Sequence, residues 1–130
     1  MSEGRKFGIV AEIKVSLPQE DVDNIMVSAL EGGINYWCRK AKVVEERRCG
    51  DWGHEQIARG GALILYDAES SDKWELNLEK FLNGVKLWLQ NGDDAYGAVQ
   101  KDGTVDTCQI DAEMADLIVQ YALFGEVVFG

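Results

Sequence analysis

The sequence predicts an α+β fold: a single domain over residues 1–130, with an antiparallel sheet of three to four strands packed against about three helices. Three segments carry apolar residues at helical spacing, and short segments rich in β-formers lie between them, bounded by glycines and polar turns. With 130 residues, 46% of them hydrophobic, the chain is long and apolar enough to bury a core.

The first two elements are a strand and a helix. Apolar residues between Arg5 and Ser16 share one parity, which predicts a strand with one buried face. Pro18 ends that strand and suits the first turn of a helix, which we expect from Pro18 to Glu31. The predicted apolar stripe of this helix consists of Val22, Ile25, Met26, Ala29 and Leu30.

The ten residues that close this helix, 29–38, are the most distinctive stretch, Ala-Leu-Glu-Gly-Gly-Ile-Asn-Tyr-Trp-Cys. A glycine pair after a helical pattern predicts a left-handed cap, so we expect positive φ at Gly32 or Gly33. Residues 34–37 are expected to be extended. In that case Tyr36 would face the core and Trp37 the opposite side.

The middle of the chain reads as a strand, a loop and a hairpin. Val43 and Val44 favour a strand over 41–46, and residues 47–53 form a polar, glycine-bounded loop. One helical turn is expected over 55–59. A hairpin then follows, with strands over 62–66 and 73–76.

Two further helices are predicted in the C-terminal part. Asn77 is a suitable N-cap for the second helix and Asp111 for the third, which Gly125 follows. Residues 127–129 are expected to add a short edge strand. The predicted inward face of the third helix consists of Met114, Leu117, Ile118, Tyr121 and Ala122.

The net charge of −10 is unevenly distributed, with −3 over residues 1–38, +2 over 39–59 and −9 over 60–130. This balance argues against direct nucleic-acid binding, which needs Lys and Arg to displace counterions, and favours a partner protein with a basic surface. In the glycine-rich loop predicted over 91–106, the candidate acidic binding surface consists of Asp93, Asp94, Asp102 and Asp106. Asp111, Glu113 and Asp116 continue the same acidic cluster, which could present a stripe of carboxylates that resembles DNA phosphates. The alternative is an ordinary solvated face.

A second candidate site is an aromatic and polar patch of Asn35, Tyr36, Trp37 and Arg59. Aromatic rings could stack on a base and the arginine could bind a phosphate, which would suit a module that sequesters a nucleotide signal. The alternative is that the segment is a strand in which Tyr36 and Cys38 face the core and Trp37 faces the other way.

Catalysis has weaker support. Cys38 and His54 could form a thiol–imidazole pair, but no nucleophile motif or oxyanion loop accompanies them. A single histidine and three unpaired cysteines provide no typical metal site, and no cofactor motif is found. The N-terminus lacks an apolar signal region, and no apolar run reaches the ~18 residues of a membrane helix, so we expect a cytoplasmic protein without a membrane partner.

Several segments resemble a family of small acidic proteins encoded by phages, prophages and related mobile elements of gut Firmicutes. They are residues 29–38, Gln56-Ile-Ala-Arg-Gly-Gly61, Leu78-Glu-Lys-Phe-Leu-Asn-Gly84, Asp102-Gly-Thr-Val-Asp106, and 110–112 with 120–130. The resemblance covers about residues 20–130 and assigns no residue a role. It implies a phage protein that inhibits a bacterial defence system by binding.

The sequence therefore favours a non-enzymatic, anti-CRISPR-like interaction protein in a bacterial host, which uses an acidic surface against a basic nucleic-acid-binding partner. The alternatives are a module that sequesters a nucleotide signal and a small Cys38/His54 thiol enzyme.

Overall fold

The computed structural model describes Phe7, residues 14–91 and residues 110–130, and it has the predicted α+β architecture. Most of the strand predicted over 5–16 and nearly all of the loop predicted over 91–106 lie outside these residues. Within the described part, the helices are α1 Gln19–Ser28, α2 Leu78–Asn91 and α3 Ala112–Phe124, and the strands are β1 Cys38–Val43, β2 Ala62–Asp67 and β3 Lys73–Asn77.

The sheet is antiparallel with the order β1-β2-β3, so β2 is its central strand. β2 and β3 form the predicted hairpin, in which Leu65 pairs with Trp74. At its turn, the Asp67 carboxylate accepts hydrogen bonds from the backbone N–H groups of Glu69 and Ser70, at 2.7 and 3.2 Å. An aspartate in this position stabilises a turn locally, which is why sequence reasoning located the hairpin correctly.

The end of α1 differs from the prediction. The helix does not stop at the glycine pair but continues as a π-helical turn, Ala29–Gly33. Neither Gly32 nor Gly33 has positive φ, since the glycines with positive φ in the described part are Gly50, Gly60 and Gly125. The predicted left-handed cap is therefore wrong.

Gly33 instead allows a close approach between two elements. A Cβ built on Gly33 would clash with the backbone carbonyl oxygen of Ala112, at the start of α3. A Cβ on Gly84 of α2 would lie 2.7 Å from the Cβ of Ala122. Because glycine has no side chain, Gly33 and Gly84 let α3 pack directly against the π-helical turn and against α2.

Residues 34–37 form a turn instead of the expected extended segment. The turn reverses the predicted burial: Trp37 is 3% exposed and Tyr36 is 56% exposed. Alternation of sides holds only along a strand, so the prediction failed when the segment turned. The strand predicted over 41–46 begins earlier, at Cys38, and has an irregularity in register between Cys38 and Lys40.

α3 is buried on more sides than its predicted stripe implied. Asp111 caps its N-terminus by accepting the Met114 N–H at 2.8 Å, and Gly125 ends it with φ 74°, both as predicted. Of the predicted inward residues, Ile118 and Ala122 are buried, whereas Met114, Leu117 and Tyr121 are half-buried. The buried residues that the stripe missed are Ala115, Asp116, Val119 and Gln120.

Residues 127–129 do not form the predicted edge strand. Instead, the Gln120 side chain of α3 accepts the backbone N–H groups of Val128 and Phe129. No helix of the described residues is long and apolar enough to span a bilayer.

The two neighbouring glycines provide a matched pair of mutations. Gly33→Ala is expected to lower the free energy of unfolding by about 2 kcal/mol, because the new methyl group forces α3 away from the π-helical turn. Gly32→Ala meets no atom within 4 Å and should be neutral or stabilising by up to about 1 kcal/mol. Urea denaturation of both variants measures the difference, and equal effects would contradict the close-approach role of Gly33.

Candidate functional site

The most unusual feature of the structure is a buried carboxylate without a cationic partner. Asp116 on α3 is 4% exposed, and none of the ion pairs among the described residues includes it. Its Oδ1 accepts hydrogen bonds from Trp37 Nε1 at 2.7 Å and Gln120 Nε2 at 3.0 Å. Its Oδ2 accepts a bond from the Tyr36 hydroxyl at 2.6 Å. Three donors thus replace the water that this carboxylate loses on burial.

Local geometry brings these groups together. Asp116 and Gln120 are four residues apart in α3, so they lie on the same side of the helix. Trp37 is fixed by its backbone: its N–H donates to the Ile34 oxygen at 3.1 Å, and its carbonyl accepts from Ala68 N–H at 2.8 Å. The turn after the π-helix therefore aims two consecutive aromatic side chains at one carboxylate.

Gln120 is fully buried and uses both ends of its amide. Its Oε1 accepts the backbone N–H groups of Val128 and Phe129, at 2.8 and 2.7 Å. Its Nε2 donates to Asp116 and, at 3.1 Å, to the carbonyl oxygen of Phe129. A single side chain thus links the carboxylate to the segment that follows α3.

Four rings pack beside this network: Trp37, Trp74, Phe124 and Phe129. We call them the aromatic cluster. The rings of Trp37 and Phe129 are stacked, with centroids 5.0 Å apart and planes 3° apart. Trp74 meets the edge of Phe124 at 5.0 Å. Stacked and edge-to-face pairs at such distances add to the stabilisation from burial alone.

Tyr36 combines a fixed hydroxyl with an exposed ring. Desolvation, followed by the hydrogen bond to the Asp116 carboxylate and the charge of that group, raises the pKa of Tyr36 to about 12. The nearby charge of Glu113 acts in the same direction. Tyr36 therefore remains protonated at physiological pH and stays a hydrogen-bond donor to Asp116.

An open cleft of about 600 Å³ lies next to Tyr36. Its walls are the π-helical turn, the first turns of α3 and the segment after α3. Its described lining residues include Asp111, Glu113 and Asp116 but no Lys or Arg. The Asp116 oxygens are occupied by their donors and the Asp111 Oδ1 by the cap. Glu113 is exposed, and none of the ion pairs found between described residues includes it, so its carboxylate can meet a ligand.

The predicted aromatic and polar patch is only partly assembled. Asn35 and Tyr36 are exposed neighbours, whereas Trp37 lies in the core with its indole N–H bound to Asp116. Arg59 forms an ion pair with Asp23 at 3.1 Å and donates to the Glu55 carbonyl at 2.8 Å. Its polar contacts include none of the other three residues. The predicted acidic residues, Asp93, Asp94, Asp102 and Asp106, lie outside the described residues.

Cys38 has the environment of a structural thiol. It is buried, its Sγ donates to the Lys40 carbonyl oxygen at 3.3 Å, and burial raises its pKa. A raised pKa reduces the thiolate fraction that a nucleophile needs. His54 is not among the contacts of this thiol, and the described residues contain no cluster of His, Cys, Asp or Glu suited to a metal ion.

Sequence reasoning placed Asp116 in an acidic surface cluster, which is wrong because Asp116 is buried, and it missed Gln120 and Phe129 as members of the site. One signal was present, because Asp116 and Gln120 are polar residues four positions apart in a largely apolar helix. Such residues in a buried helix must find hydrogen-bond partners. The partners themselves, 79 residues away in the case of Trp37, could not be read from the sequence.

Comparisons of this chain with protein-family models, curated proteins and solved structures found no match. Its function has to be inferred from the chemistry of its own residues.

The carboxylate network gives a direct stability prediction. Asp116→Ala is expected to lower the free energy of unfolding by about 3 kcal/mol, because it leaves the buried indole N–H and the Gln120 amide without their acceptor. Asp72→Ala, at an exposed turn, should change it by less than about 0.5 kcal/mol. Denaturant unfolding of both variants at neutral pH checks this. Similar small losses in the two would contradict a structural role for the network.

Tyr36 gives a pH prediction. Its pKa is 10.0 in the unfolded chain and about 12 in the folded protein, so the native state holds the proton more tightly. The resulting stabilisation is complete below pH 10 and is lost as the pH rises towards about 12. The unfolding free energy of the wild type should therefore fall more steeply over this window than that of Tyr36→Phe. Parallel pH profiles of the two proteins would refute the assignment.

Proposed function

We propose that this protein acts by binding and not by catalysis, as an acidic interaction protein that inhibits a partner carrying a basic surface. The observation that carries the proposal is the cleft beside Tyr36, where the described lining consists of carboxylates and of aromatic and apolar side chains and includes no cation. An arginine or lysine of a partner is the side chain that complements such a lining.

The exposed ring of Tyr36 favours arginine over lysine. The hydroxyl is fixed on Asp116, so the ring has one orientation before any partner arrives. A guanidinium group can stack on this ring while it donates hydrogen bonds to the free carboxylate of Glu113. Because the ring is already fixed, little side-chain entropy is lost on binding.

The charge of the whole chain supports the same kind of partner. A net charge of −10 attracts a basic surface over about a Debye length and mainly raises the association rate. The acidic residues predicted to contribute, Asp93, Asp94, Asp102 and Asp106, remain part of this proposal. The same charge, with the acidic cleft lining, disfavours a nucleotide ligand, whose phosphates would be repelled.

The class of partner that we propose is a component of a bacterial defence system, such as a CRISPR effector with a basic nucleic-acid groove. This part of the proposal comes from the resemblance to phage-encoded proteins. An acidic protein that occupied such a groove would block its nucleic-acid ligand by competing for the same basic side chains.

Charge reversal at the cleft tests the binding mode. A blocked hexa-arginine peptide serves as the probe in fluorescence anisotropy, at about 50 and about 300 mM salt. Glu113→Lys is expected to weaken binding roughly fivefold, since it replaces an attractive charge by a repulsive one. Glu79→Lys is the matched control, because Glu79 is also an exposed residue in the first turn of a helix. Its effect should stay below about twofold.

Two further results complete this test. Reversal of all four predicted acidic residues to Lys should slow association and reduce its dependence on salt. Equal losses for the two single variants, or binding insensitive to salt, would contradict the proposed mode. Phage plating on a host with an active CRISPR system tests the class of partner, and plating that the expressed protein leaves unchanged would exclude that system.

A further inference from the structure

Residues 125–130 contact the rest of the protein in the way a peptide ligand contacts a receptor. They leave α3 at Gly125, whose positive φ redirects the chain, and they pair with none of the described strands. Glu126, Val127 and Val128 are all exposed. The attachment therefore depends on the backbone around Val128 and Phe129 and on one side chain, that of Phe129.

The backbone of Val128 and Phe129 is held by hydrogen bonds to a side chain of α3. Gln120 accepts two consecutive N–H groups and donates to the Phe129 carbonyl oxygen. These contacts use only main-chain atoms of the segment. They would be made equally well by any segment of the same backbone conformation.

The other rings of the aromatic cluster favour an aromatic side chain at the position of Phe129. Phe129 stacks on Trp37 and meets the rings of Trp74 and Phe124 at centroid distances of 6.2 and 5.9 Å. The other three rings form a receptor for one flat side chain. Val128, which is 54% exposed, is not selected in this way.

We propose that Gln120 and the rings of Trp37, Trp74 and Phe124 form a binding site for a peptide segment with one aromatic residue, occupied here in cis by Val128 and Phe129. A segment of this kind from another protein binds there when it displaces residues 125–130. The proposal goes beyond the basic-partner function and does not rest on it, because its ligand needs no basic residue.

Displacement has to overcome the advantage of the tethered segment. A segment held on the same chain has an effective concentration in the millimolar range, so it outcompetes a free peptide of equal intrinsic affinity. The wild-type protein should therefore bind a free copy of its own segment at least about tenfold more weakly than a variant in which the tethered segment has lost its ring.

The experiment uses the full-length chain with Phe129→Ala and a blocked synthetic peptide of residues 125–130, Gly-Glu-Val-Val-Phe-Gly. Calorimetry measures binding, and the melting temperature with and without peptide gives a second readout for a destabilised variant. We expect the peptide to bind the variant and to raise its melting temperature. The same peptide should bind the wild type at least about tenfold more weakly.

Two altered peptides serve as controls. The peptide with Phe129→Ala should bind the variant about tenfold more weakly or not at all, because it cannot stack on Trp37. The peptide with Val128→Ser should bind like the unaltered one. Failure of the unaltered peptide to bind the variant or raise its melting temperature, or an equal response to all three peptides, would overturn the proposal.

Discussion

The carboxylate of Asp116 constrains the structure more than any other group. A buried charge without a counter-ion is unfavourable unless hydrogen bonds replace its lost hydration. Here the donors are Trp37, Tyr36 and Gln120, which come from two distant parts of the chain. The turn before β1, the side of α3 and the segment after α3 must therefore all keep their positions together.

Two buried glutamines, Gln56 and Gln120, form hydrogen bonds with backbone groups of irregular segments. Gln120 binds the backbone of residues 128–129, which have no strand partner. Gln56 accepts the Cys49 N–H at 2.8 Å and donates to the Trp52 carbonyl at 2.9 Å, which fixes the irregular loop before β2. A side-chain amide carries both a donor and an acceptor, so one residue can satisfy both kinds of backbone group. No buried polar side-chain atom among the described residues lacks a partner.

The same network shapes the candidate binding surface. Because the Tyr36 hydroxyl is held inside, the ring forms a rigid wall of the cleft, and Glu113 is left as a free charge beside it. Phe129 belongs both to the aromatic cluster and to the cleft lining. A ligand that displaced residues 125–130 would therefore also change the cleft, so the two proposed sites are physically coupled through one residue.

The sequence by itself determined the local elements: the hairpin, the caps at Asp111 and Gly125, and the α+β class follow from periodicity and from residues that bond within a few positions. Only the tertiary structure decided which of Tyr36 and Trp37 is buried, why Gly33 is a glycine, and how residues 127–129 are held. Each of these depends on α3, a helix about 80 residues further along the chain than the turn that it contacts. Local patterns record a residue's own conformation, whereas burial of Asp116 and the packing at Gly33 depend on partners that come close only in the folded chain.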